Sequence, residues 1–187
     1  TTYGSWANYV SGSQDNFGSF VTGYTTPDAS VPATGSATFN GQTSGMVYFP
    51  QEGGWNSTGI GTAEVSGDAS LVANFGTGNI TGGLTNMQSY YGAWNDVSLA
   101  GTITSGVNAF SGAAAVTSAP GGTATLGAGA TGSFVGMFFG PTASELGAVW
   151  NLFDGTSTAT GAIGAKRTTA AKKPAASTTK KKAEDGS

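Results

Sequence analysis

The sequence has no cysteine and no histidine among its 187 residues. Disulfides, thiol chemistry and Cys/His zinc sites are therefore excluded. So is a Ser-His-Asp relay, because imidazole is its usual proton carrier. Cations are missing just as selectively. All seven basic residues (Lys166, Arg167, Lys172, Lys173, Lys180, Lys181 and Lys182) fall in the last 22 positions. Residues 1–165 carry eight carboxylates and no base, a formal charge of −8, while the tail carries seven bases and two acids, +5. A body without cations cannot release counterions from a phosphate backbone, which excludes a nucleic-acid-binding body. No run approaches the ~18 apolar residues of a membrane helix. No glycine-free segment carries a helical i, i+3, i+4, i+7 apolar pattern. Paired carboxylates leave acid–acid catalysis formally open. Nothing else assembles a nucleophile, a base and an oxyanion site, so a non-enzyme is expected. The chain starts at Thr1 without Met or a visible signal peptide, as a mature form or a fragment would.

What is present points to a folded β protein. Of 32 glycines, 31 lie in residues 1–165, together with all four Trp, six Tyr and ten Phe. Chains that stay disordered are poor in aromatics. Period-two alternation recurs: Leu71, Ala73 and Phe75 share one face, as do Val97, Leu99 and Ile103. Phe110, Ala114 and Val116 form another such set, and Leu146, Ala148, Trp150 and Leu152 a fourth. That is the mark of half-buried antiparallel strands. Nine to eleven strand-like segments, most flanked by glycine, predict a sandwich or barrel. Gly101, Gly112 and Gly136 fall inside strands, as bends or close packing in a curved barrel require. Closing the sheet would also remove edges that this lysine-free body cannot guard. Gly132–Phe139 is apolar on both faces, which predicts an outer face that is covered or that binds something.

The chain divides into two parts of unequal kind: residues 1–165 as the folded body and 166–187 as a basic tail. The tail has no side chain larger than Ala to bury and is expected to be disordered. Contact with an anionic surface, solubilisation and an appended extension all remain open as its role.

Two aromatic clusters are candidate ligand-binding sites, both expected in loops. One is Met87-Gln88-Ser89-Tyr90-Tyr91-Gly92-Ala93-Trp94-Asn95-Asp96, with Met87, Tyr90, Tyr91 and Trp94 as its contact residues. The other is Tyr48–Asn56, with Tyr48 and Trp55. Exposed Tyr and Trp offer large contact area at low entropy cost; packing at a barrel mouth is the alternative. Without histidine, haem would need Tyr90, Tyr91 or Met87 as an axial ligand. Asp15-Asn16 and Asn95-Asp96 supply oxygen donors, but at no calcium-loop spacing. In Gly140-Pro141…Glu145, Gly permits a turn and Pro favours the first position of a helical turn. Glu145 is expected at that turn's free N–H groups.

Two stretches resemble a known family. The first runs Gly18-Ser19-Phe20-Val21-Thr22-Gly23-Tyr24-Thr25-Thr26-Pro27, continues through Val31–Gly41 and ends at Gly45-Met46-Val47. The second is Gly132-Ser133-Phe134-Val135-Gly136-Met137-Phe138-Phe139-Gly140-Pro141-Thr142-Ala143-Ser144-Glu145-Leu146-Gly147-Ala148-Val149-Trp150, with Thr160–Arg167 after it. Most of residues 5–165 resembles the β-barrel of the transferrin-binding protein B superfamily, including its small solute-binding members of Gram-negative bacteria. The resemblance implies an all-β fold, a single antiparallel barrel of about eight strands with first and last strands paired. It also implies an extracellular or outer-membrane-surface location. Members include receptors for host iron proteins, complement-regulator binders and secreted haem-binding proteins. The expected function is capture of haem, a small apolar ligand or a partner protein. The alternative is a self-assembling surface or adhesin-type protein that forms homo-oligomers.

Overall fold

The computed structural model describes residues 1–10, 13–51 and 59–168. The strands are β1 (Thr2–Val10), β2 (Ser13–Thr22), β3 (Ser36–Pro50), β4 (Ile60–Asn74), β5 (Asn79–Ser89), β6 (Gly92–Ala93), β7 (Val97–Ile103), β8 (Phe110–Val116), β9 (Thr131–Phe139), β10 (Glu145–Phe153) and β11 (Thr158–Arg167). Among the described residues the one helical element is a 3-10 turn, Asp28–Ser30. Eight strands run β4-β3-β11-β10-β9-β8-β7-β5, all antiparallel, and β5 pairs back onto β4. The sheet is thus a closed barrel, as expected, and its first strand β3 pairs with its last, β11, from Thr158↔Tyr48 to Arg167↔Phe39. β6 adds only to β5, and β1 and β2 form a separate hairpin.

Alternation places the core. The segments Val97–Ile103 and Phe110–Val116 are β7 and β8, and Leu146, Ala148, Trp150 and Leu152 of β10 are all buried. The interior is filled by the protein's own rings. Phe138 lies 5.2 Å from Phe110, 5.4 Å from Phe75 and 5.7 Å from Phe39 between centroids, and Trp94 lies 6.1 Å from Trp150. Inward glycines make room for these rings. A Cβ at Gly136 would stand 2.5 Å from the Phe110 ring, and one at Gly161 would come within 2.6 Å of the Trp150 ring. Gly101 and Gly112 face each other across β7 and β8, and a Cβ on either would overlap the opposite backbone. Glycine density therefore reflects close strand approach rather than disorder.

The β1–β2 hairpin lies on the outer wall of β10, β11 and β3. The ring of Tyr3 occupies the space beside Gly164, and Val21 and Thr1 pack at Gly147. Phe17 stacks on the outward Tyr48 at 3.8 Å and 25°. The two apolar faces of β9 now separate. Phe134 and Phe138 point inward, and the outward Phe139 is buried beneath Gly23–Thr25, with Thr25 bridging to it. The outward Val135 stays 54% exposed.

Each end of the barrel has its own closure. At the lower end, Asn108 donates to the carbonyls of Thr26 (2.7 Å) and Phe138 (2.8 Å) and accepts from Phe138 N–H (2.8 Å). These bonds fasten the segment leading into β3 against β9. At the upper end, the loop 117–130 inserts Ala124, Leu126 and Ala130 into the core. Asn95 holds it by donating to the carbonyls of Ser118 (3.0 Å) and Leu126 (2.9 Å) and accepting from Leu126 N–H (2.7 Å). Asn95 is completely buried, with its amide committed to this loop. Asp154 anchors the β10–β11 turn. It accepts from the N–H groups of Gly127 (2.9 Å), Thr156 (2.9 Å) and Ser157 (2.7 Å) and from the Thr156 hydroxyl (3.0 Å). Burial pushes its carboxyl upward, but these donors together outweigh burial and hold it at about 2.

β11 continues two residues past the boundary drawn from composition. Lys166 and Arg167 pair with Asn40 and Phe39 while their side chains remain exposed, so their charges stay in water. The segment expected to be disordered lies, from residue 169 onward, outside the described residues.

This packing has two measurable consequences. Gly101→Ala should lower stability in urea unfolding by about 1–3 kcal/mol, the usual cost of forcing atoms into a packed interior. Gly129→Ala, with open space around it, should change stability by less than about 0.5 kcal/mol. The depressed Asp154 pKa contributes stability that is present above the ordinary value of 3.8 and lost as pH falls through about 2. Thermal melts between pH 4 and pH 2 should therefore show a steeper loss for the parent than for Asp154→Asn.

Candidate functional site

β5 outruns its neighbour β7. Their pairing starts at Leu84↔Val97, whereas β5 continues to Ser89 and turns there into β6. A bulge opposite Gly67 interrupts the β4–β5 register between Ser66 and Asp68. Asn86, at φ 54°, takes the left-handed conformation there, and its Nδ2 donates to Asp68 at 2.7 Å. Bulges bend the strand that carries them and re-aim its continuation. Here the continuation is the Tyr90-Tyr91 tip, closed by pairing of Ser89 with Gly92. Ser89 Oγ accepts from Tyr91 N–H at 3.2 Å and donates to the Gly92 carbonyl at 3.3 Å.

The sequence-predicted residues divide into two groups. Tyr90 is 91% exposed and Tyr91 47%, their rings meeting edge to face at 5.4 Å. Tyr91 also sets its edge against Phe49 at 5.9 Å, which roots the tip on the barrel rim. Met87 is a strand residue, and Trp94 lies in the short β6–β7 connection but packs into the core. Met87 lies in β5, 1% exposed against Gly67, and Trp94 is 2% exposed with its indole N–H donating to Ala124 at 2.8 Å. Met87 takes an inward position of β5, and the Trp94 main-chain N–H donates to the Met87 carbonyl at 2.8 Å, which turns the indole into the same core. Tyr48 likewise belongs to β3 rather than to a loop. Its ring holds Phe17 of the hairpin, and its hydroxyl approaches Met46 Sδ at 3.8 Å. Trp55 lies outside the described residues.

The rim has apolar members that composition did not single out, Ile60 at the start of β4 (50% exposed) and Phe153 at the end of β10 (54%). Both sit where alternation runs out at strand ends, and that was the available signal. Glu145 also differs from expectation. It opens β10 rather than facing a helical turn, and it pairs with the Thr1 amine and, at 3.9 Å, with Lys166. Hydrogen bonds from that amine hold its carboxyl below the usual range. Gly140 (φ 79°) and Ala143 (φ 54°) make the connection a tight non-helical turn. Among the described residues no group of three or more acidic side chains is placed to hold a metal ion.

No curated protein matches the sequence. Solved structures match the fold. A transferrin-binding protein B double mutant from Haemophilus parasuis superposes with a TM-score of 0.63 at 19% identity, covering 88% of this chain and 32% of its own. The Neisseria meningitidis transferrin-binding protein B gives 0.55 at 18%, covering 90% and 32%. A surface lipoprotein gives 0.58 at 15%, covering 90% of this chain and 77% of its own. This chain thus spans about a third of the full-length transferrin-binding proteins it resembles. In sequence, residues 31–167 match the family described as the C-lobe and N-lobe β-barrels of transferrin-binding protein B, a span that runs from the lead-in to β3 to the end of β11. The chain belongs to the family of transferrin-binding protein B β-barrels.

Proposed function

We propose that this protein is a non-enzymatic bacterial barrel, exported to the cell surface or the medium, that captures a partner protein at its upper rim. Tyr90 and Tyr91 are its contact residues. The observation that carries the reading is the filled interior: Phe39, Phe110, Phe134, Phe138, Trp94 and Trp150 leave the centre to the protein's own side chains. Eight-stranded barrels are just wide enough for side chains to fill them or for one small ligand to enter. Recognition by this one therefore falls to its outer surface, which favours a macromolecular partner over a small apolar ligand inside. The tip supports it further, because two exposed tyrosines on a short hairpin rooted at Phe49 offer area without much ordering cost.

The relatives are named for binding transferrin. A host iron-carrying protein of that type is accordingly the partner class this reading assigns. Binding of the purified chain to immobilised iron-loaded transferrin from human and pig serum tests it. Tyr90→Ala and Tyr91→Ala should each weaken the complex about tenfold or more, in line with interface tyrosines elsewhere. Thermal stability of Tyr90→Ala should stay unchanged, since the ring makes little buried contact. Failure to bind either transferrin, or equal binding by both variants, would remove the reading.

A further inference from the structure

A groove of about 620 Å³ runs along the outer wall from the β1–β2 hairpin to the Tyr90 side of the rim tip. One side is the edge of β1 at Ser5, Trp6 and Ala7. The floor is the outward face of β3, β4 and β5. Register places Ser44 opposite Ser66 and Ser66 opposite Gln88, so one row of two hydroxyls and an amide crosses three strands. The next row pairs Met46 with Glu64, and Tyr90 closes the groove beyond it.

Among the described residues, β1 pairs with β2 alone. Its other edge presents main-chain N–H and C=O groups that strongly favour hydrogen-bonding partners. Exposed edges are normally guarded by lysine, proline or other charges. Thr2–Val10 reads TYGSWANYV, with none of these, whereas β2 carries Asp15. Among the described residues the barrel strands leave only short edges open, at the end of β5 and at the two-residue β6, because the sheet is closed.

We propose that this groove receives an extended segment of a partner polypeptide, which adds as a third strand along β1. Strand addition takes its affinity from main-chain bonds and its selectivity from alternate side chains. Side chains turned toward the barrel would rest over Ser44, Ser66, Gln88 and Glu64, so they are neutral-polar or basic and not acidic. Glu64 is the one charged group lining the groove, and residues 1–165 hold no basic side chain to receive a carboxylate. A second copy of this chain fits less well. Antiparallel pairing of two β1 edges about a two-fold axis would put the second barrel on the same side, where the floor strands already stand. The inference goes beyond the rim reading and does not depend on it.

The test selects random heptapeptides displayed on phage against the full chain and then synthesises the enriched sequences. Peptides should alternate, with Ser, Thr, Asn, Lys or Arg in one register. N-methylation at alternate residues should weaken binding at least tenfold, while the intervening positions tolerate it. Hydrogen exchange at Ser5–Ala7 should slow, and Glu64→Lys should weaken binding of basic peptides tenfold or more. Tyr91→Ala, which bears on transferrin binding, should leave peptide binding unchanged, so the two readings fail separately. Uniform tolerance of N-methylation, protection at the rim instead of β1, or no enrichment over a chain-free control would overturn the proposal. So would slowed exchange at Ser5–Ala7 that grows with protein concentration in the absence of peptide, which would assign the edge to a second copy.

Discussion

Ten residue pairs between β3 and β11 close the sheet, and the rest of the molecule depends on that seam. It joins residues from opposite ends of the barrel sequence, Phe39 with Arg167 at one end and Tyr48 with Thr158 at the other. Loop-closure entropy opposes such pairing until many bonds form together. Once formed, it leaves no barrel edge to guard, which suits a body without lysine. It also fixes the radius. Eight strands enclose a space that Phe and Trp rings can fill, provided the wall facing each ring is thin. Gly136 beneath Phe110 and Gly161 beneath Trp150 supply that thinness, so the glycine content and the aromatic content are one design.

A filled barrel moves function outward. The closures at both ends are built from committed groups, Asn108 below and Asn95 and Asp154 above, each with its bonds turned to the backbone. Such satisfied polar networks rigidify what they join. Rigidity at the top lets the Tyr90-Tyr91 tip project from a fixed base, and the bulge at Asn86 sets its direction. The wall has a different resource. The hairpin covers Gly164 and Gly147 with one face and leaves Trp6 and Phe20, 50% and 43% exposed, on the other. A closed barrel that carries an open two-stranded sheet on its wall places its longest open strand edges there.

Much of this was legible in the residues. β7 and β8 matched the alternating segments because every inward position there holds an apolar side chain or a glycine. β3 was not legible as fifteen continuous residues, since its inward positions include Gly41, Thr43 and Gly45, which blur alternation. Those residues are inward because the neighbouring strand comes close, a cross-strand fact no local window contains. The same limit explains Met87 and Trp94. A dense aromatic cluster between two strands reads as a loop, yet the bulge keeps Met87 on the inward face while Tyr90 and Tyr91 leave it. Glu145 was legible as a residue of the β9–β10 connection but not as a partner of Thr1 and Lys166, because those contacts join distant parts of the chain.

Charge gives the barrel a direction. Lys166 and Arg167 end β11 at the lower end, where Lys166 approaches Glu145. The carboxylates of Asp96, Asp154 and Glu64 lie toward the upper end. β11 is ten residues long, roughly 30 Å at the rise of an extended strand. The Debye length is about 8 Å at physiological salt, so those two cations do not offset the acids of the upper rim. The groove lies on the wall nearer that end, with Glu64 in its floor. A partner approaching either surface therefore meets a field of one sign, and cationic surfaces gain association rate there while acidic ones lose it. Salt should slow the first kind of encounter and speed the second. Neutral contacts, the tyrosine rings and the β1 main chain, then set how long the partner stays.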